Sequence, residues 1–228
     1  VLFKMSSGAR KQLGQGGMDR MKRTLKAMVF LYMRLSIRVK KMELNGEEPG
    51  ISVAKPFQYI HSGDGKGILE LLTAEIPDET IFMYLTCANG ADTCELVDLS
   101  YELYCEAITI YETNIADSKD QIHVLSTMIS SLHALRAMPE ESYEVIATKV
   151  CQHSSKMLKK HDQCKMVALC ANLFWKKSLS EDYHKKVLEC LQRSLKIADH
   201  SQPIHQLPLF VELLNQFLHF YAASAPGV

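Results

Sequence analysis

The chain has 228 residues, 47% of them hydrophobic, enough to bury a sizeable core in one or two domains. Its formal net charge is zero, yet residues 1–42 hold 11 Lys and Arg against Asp19 alone, residues 43–147 hold 4 against 19 acids, and residues 148–228 hold 11 against 6. Seven cysteines, an odd number with no C-x-x-C pair, exclude a disulfide framework and read as small hydrophobes of a reducing compartment.

The chain opens on Val1 with neither a methionine nor a charged-then-apolar leader, which points to a fragment with no visible targeting segment. Residues 1–19 read as a flexible segment, since KMSSGARKQLGQGGMD lacks periodicity. GQGG superficially resembles a phosphate loop, but no GK[ST] follows it. From Arg20 to Leu44 a helical stripe is expected, with Leu25, Met28, Val29, Tyr32, Leu35, Val39 and Met42 on the buried side. Met33, Leu35, Ile37 and Val39 also alternate as a strand would. The basic face of such a helix suits a membrane surface or nucleic acid, or simply water. The longest apolar run, Ala27 to Met33, is far short of the ~20 residues of a spanning helix, so membrane association is expected to be indirect.

Asn45 to Pro56 reads as a turn-rich linker, and Phe57 to Ile76 as a helix broken or loosened by Gly63, Gly65 and Gly67. Pro77 should open a helix that Asn89 and Gly90 close. Two stripes follow, Leu96 to Tyr111 and Ile122 to Leu135, with Asp117 or Ser118 capping the second. Pro139, Glu140 and Glu141 open a further helix that buries Tyr143, Ile146, Val150, Ser154 and Met157. A break at Lys160, His161 and Asp162, with Asp162 as N-cap, leads into a stripe of Val167, Cys170, Ala171 and Phe174. The last helices are expected over Asp182 to Asp199, with Tyr183, Val187, Leu191, Leu195 and Ala198 inward, and over Pro208 to Ala222, with Phe210, Leu213, Leu214, Phe217, Leu218 and Tyr221 inward. Helices of 15 to 20 residues joined by short breaks predict an all-α fold, a HEAT-like α-solenoid of antiparallel helix pairs over residues 20–228. Periodicity alone equally describes a helical bundle.

No catalytic constellation is visible: there is no G-x-S-x-G elbow and no H-E-x-x-H. Cys151, His153, His161 and Cys164 have an order that could hold zinc, but Cys151 and His153 lie on opposed sides of one helix. Buried thiols and surface imidazoles are the expectation, with no metal and no cofactor. Trp175, ending an apolar stripe, reads as core before a break at Leu179 and Ser180.

Three segments carry a family resemblance. SKMLKKHDQCKMVALCANLFW (Ser155 to Trp175) resembles the SKLLKKPDQ...C..LFW signature of the vacuolar protein sorting 35 family, the large α-solenoid subunit of the retromer coat. TIYETNIADSKDQ (Thr109 to Gln121) resembles its LYE..ISDSKAQ, and VLECLQRSLKIA with LFVELLNQFLHFY resembles V.ECL..ALKIA...LF.EILN.Y..FY. The dense likeness runs over residues 96–221. It implies a non-enzymatic scaffold that grips the small retromer subunit of metallophosphoesterase fold and recycles cargo from the cytosolic face of endosomes. It places the arrestin-like subunit at the other end of the full-length protein. It also implies a homodimer contact of Glu112 and Asp117 against Lys156 and Lys159. Two further acids of the family fall on Thr113 and Asn114, and its proline on His161. An RNA-binding helical repeat is the alternative, but stacking aromatics and polar readers do not recur at fixed positions, so no nucleic acid is expected.

Overall fold

The computed structural model describes residues 18–63, 67–175 and 181–223, without the side chains of 18–21 and 181–184. Of the expected flexible segment 1–19, residues 1–17 lie outside the described residues, as do the break at Leu179 and Ser180 and the side chain of Tyr183, whereas Met18 and Asp19 already stand in the first helix. The described residues are all-α, with no strand among them. In chain order the helices are α1 (Met18–Leu44), α2 (Ala54–Ile60), α3 (Ile68–Thr73), α4 (Pro77–Thr93), α5 (Val97–Asn114), α6 (Ser118–Ala134), α7 (Glu140–Ser155), α8 (Lys160–Phe174), α9 (Glu181–Asp199) and α10 (Pro203–Ala222). They form two compact units, Val1–Ile110 and Tyr111–Val228.

In the first unit α1 packs on α2, α3 and α4. The residues between 33 and 39 are helical, so the strand alternation there is fortuitous. Leu25, Val29, Tyr32, Ser36 and Val39 form its buried face, at steps of four and three. Ser36 therefore takes the inward place expected for Leu35, which is 37% exposed. The linker ends three residues before Pro56, because proline in the first turn of α2 has no missing bond to answer for. The Phe57–Ile76 stretch is two short helices. Gly63, at φ +66°, supplies the left-handed turn between them.

Helix α4 does not stop at Asn89 and Gly90; it runs on to Thr93. Gly90 is there for packing: a Cβ at this site would lie 2.7 Å from Met33 Cγ of α1. The helix closes instead on Glu95, a non-glycine residue at φ +61°. Glu95 N donates to the Asp92 carbonyl at 2.9 Å and Leu96 N to the Ala91 carbonyl at 2.9 Å, a Schellman pair. The Glu95 carboxylate also meets Lys40 of α1 at 2.6 Å. Buried Ser100 of α5 donates to the Ala88 carbonyl at 3.0 Å, tying α5 to α4.

In the second unit α6 packs on α7 and α8, α7 on α8, α8 on α9 and α10, and α9 on α10. Each of these helices thus meets the next, and α6 and α8 also meet the next but one, the stacking order of an α-solenoid. Asp117 caps α6, accepting from Lys119 N at 2.8 Å and Asp120 N at 3.4 Å. Asp162 is not the N-cap of α8. That place is held by Lys159, and Asp162 sits in the first turn, where its charge faces the positive end of the helix. The break falls earlier because Met157 is buried and the Gln163 side chain donates back to the Ser155 carbonyl. Helix α10 starts at Pro203, five residues before the expected Pro208, which lies inside it. Gln206 Nε2 donates to the Asp199 carbonyl at 2.8 Å and the Ser201 carbonyl at 3.1 Å, which fastens the α9–α10 turn upstream of Pro208.

Candidate partner-binding surface

The last turn of α5 and the α7–α8 turn bring two of the four candidate contact residues together. Glu112 and Lys156 line one cavity of about 250 Å³, with Tyr111, Ile115, His153 and Met157 around them. Glu112 is already engaged within the chain, 2.9 Å from Lys149 Nζ and 3.0 Å from His153 Nε2. Lys149 holds its carboxyl below the usual range. Desolvation pushes His153 down despite Glu112, so near neutral pH its imidazole is largely uncharged. Asp117 and Lys159 stand at helix starts, as the N-cap residues of α6 and α8, with both side chains exposed. Asp117 thus combines a surface charge with a structural task.

The four Cys and His residues considered for zinc occupy separate surroundings. Cys151 meets Cys170 and Cys190, His153 meets Glu112, His161 stacks on His205 with centroids 4.6 Å apart, and Cys164 Sγ donates to the Ser194 carbonyl at 3.3 Å. Among the described residues no group of three or more His, Cys, Asp or Glu side chains is spaced to hold a metal ion. Trp175 is half-buried at the end of α8, edge-on to Phe220 of α10 at 6.5 Å. On α1, Lys26 pairs with Glu79 and Lys40 with Glu95, so part of its basic face is satisfied within the first unit.

The largest departure from the sequence reading lies on α10. Leu209, Leu213 and Phe220 are its buried anchors: the first two pack with Cys164, Ala168 and Ala198 of α8 and α9, and Phe220 meets Trp175. Leu214, Leu218 and Tyr221, expected inward, are 57%, 55% and 70% exposed. They continue a row with Ile204, Leu207 and Val211, all exposed, at alternating steps of three and four. That spacing is the a/d seam of a helix that meets another surface. The helix is apolar on two sides, and a one-dimensional pattern does not tell which side the chain itself covers.

No described helix is long and apolar enough to cross a membrane. A family model for vacuolar protein sorting-associated protein 35 matches residues 1–228. Among curated relatives, vacuolar protein sorting-associated protein 35A of Arabidopsis thaliana is 30% identical over the whole of this chain. Protein 35C of the same plant is 34% identical over 92% of the chain, and protein 35 of Dictyostelium discoideum 32% over 96%. The chain spans 30%, 28% and 28% of the lengths of these three relatives, respectively. With its described residues all-α and one family model matching it from end to end, the chain belongs to the vacuolar protein sorting-associated protein 35 family.

Proposed function

We propose that the chain is the C-terminal solenoid region of a retromer large subunit, a non-enzymatic scaffold in vacuolar protein sorting. In this reading it binds the small retromer subunit of metallophosphoesterase fold. It thereby supports cargo transport from the cytosolic face of endosomes toward the Golgi and the recycling route. The observation that carries the scaffold reading is the row of six exposed apolar side chains on α10, from Ile204 to Tyr221, on a helix already anchored by its other side. A contiguous apolar surface of this kind marks a protein-binding face. Attachment to a membrane is then indirect, and the arrestin-like subunit belongs to the part of the relatives that this chain does not span.

A pull-down with the purified small subunit tests the reading. The chain is expected to retain it, and Leu214→Glu with Leu218→Glu to release it while the unfolding midpoint stays in place. No retention by the unaltered chain overturns the partner assignment, and retention by the double variant moves the contact away from α10. The family likeness further supports self-association of Glu112 and Asp117 with Lys156 and Lys159 of a second copy. Glu112's pairs to Lys149 and His153 compete with that contact.

A further inference from the structure

Three cysteines far apart in sequence converge in the second unit: Cys151 on α7, Cys170 on α8 and Cys190 on α9. The Cys151 thiol is within hydrogen-bonding reach of both of the others. Cys170 is fully buried and its thiol donates to Ser154 Oγ at 3.4 Å. Cys151 and Cys190 are only half-buried. Both line a cavity of about 160 Å³ that Ser155, Glu189 and Arg193 also border, and both line an adjoining one of about 410 Å³ that Lys156 and Lys186 reach. Small solutes therefore have a path to these two sulfurs through a mouth with three cationic side chains against Glu189.

We propose that Cys190 is a reactive thiol open to oxidation by hydroperoxides, and that Cys151 resolves the product as a disulfide joining α7 to α9. The cluster sets the roles of the two sulfurs. Cys151 donates its proton toward Cys190, and Arg193 and Lys186 add positive charge beside it. Cys190 is thereby held below the usual thiol range, against desolvation and Glu189, while Cys151 is held above it. In the first step the Cys190 thiolate attacks hydrogen peroxide. An S–O bond forms, the O–O bond breaks, and the departing hydroxide takes a proton, leaving Cys190 as a sulfenic acid. In the second, the Cys151 sulfur attacks the sulfenic sulfur, its thiol proton leaves with the hydroxyl as water, and the S–S bond closes. Two thiols and one peroxide give one disulfide and two waters. The bond would tie α7 directly to α9, a link made otherwise by surface pairs such as Lys186 with Glu144 at 2.6 Å.

Peptide mapping of the whole chain after limiting hydrogen peroxide tests this. A Cys151–Cys190 linked peptide is expected, lost in Cys190→Ser, and replaced in Cys151→Ser by a sulfenic acid on Cys190 that a cyclic 1,3-dione traps. A Cys151–Cys170 link, or no trapped sulfenic acid, overturns the assignment. A second measurement needs no variant: with limiting iodoacetamide at neutral pH, Cys190 should be alkylated at least about tenfold faster than Cys105, the half-buried thiol of the first unit. Equal rates at the two overturn the proposal.

Discussion

The Tyr143 hydroxyl of α7 donates to the backbone carbonyl of Leu173, in the last turn of α8, at 2.9 Å. Carbonyls in a last helical turn have no partner within their own helix. Both residues are buried, at 2% and 0% exposure, so water cannot substitute. Tyr143→Phe takes that donor away without changing the packing, and is expected to cost about 1–2 kcal/mol. Urea denaturation of the two proteins measures it; a midpoint unchanged at equal slope would mean that the bond contributes nothing.

At Gly90 two effects oppose each other. Alanine would raise the helix propensity of α4 by about 1 kcal/mol, but its methyl would meet Met33 at 2.7 Å and overpacking costs about 1–3 kcal/mol. Met33 is flexible and half-buried, so it gives way in part. A net loss of roughly 1 kcal/mol is expected from these two terms. Thermal unfolding of Gly90→Ala reads the sign directly, and a gain in stability would show that α1 yields freely.

Asp117 separates capping from charge. Asp117→Ala removes the acceptor of two α6 amides and should cost about 1 kcal/mol. Asp117→Asn keeps a good cap without the charge. If Asp117 also meets the lysines of a second copy, Asn should weaken self-association in sedimentation while leaving the unfolding midpoint nearly unchanged. Equal association constants for Asp and Asn would confine Asp117 to its cap.

Stability should depend on pH through His61, which is buried in the first unit with Nδ1 2.7 Å from Glu70 and Nε2 3.3 Å from Glu102. The Glu70 bond lifts the imidazole above its ordinary 6.5, against desolvation. The stabilisation is then complete below pH 6.5 and is lost as pH rises through the folded value. For Glu70, burial alone would raise the carboxyl, but the bonds from His61, its own backbone and Ser62 together carry it below 4.5. Its contribution is present above that value and fades as pH falls through the lower folded one. Denaturation midpoints should therefore fall between pH 6 and 9 in the unaltered chain, and fall less in His61→Asn. Parallel curves for the two would assign the slope to other groups.

Much of this architecture is written locally. The helical periods, Pro77 and Pro139 at helix starts and Asp117 at its cap depend on neighbours within a turn or two, and each stands where the sequence places it. The three motif segments likewise carried the family by residue identity alone. The misjudged points share another character. Asn89–Gly90 has the composition of a helix end, yet the approach of Met33, distant in sequence, turns the glycine into a packing site inside α4. The start of α10 depends on Gln206 reaching back to the α9–α10 turn.

The two-sided apolar helix α10 is where the division is clearest. Sequence by itself determined that α10 is a helix with apolar residues at helical spacing and that the cysteines form no disulfide framework, because spacing and composition are properties of one segment. Only the tertiary structure decided that Leu213 is buried while Leu214 is left outward, and that Cys151 and Cys190 share a cavity. Which face a helix hides, and which distant side chains meet, depends on where its neighbours stand, and those positions come from packing the whole stack at once.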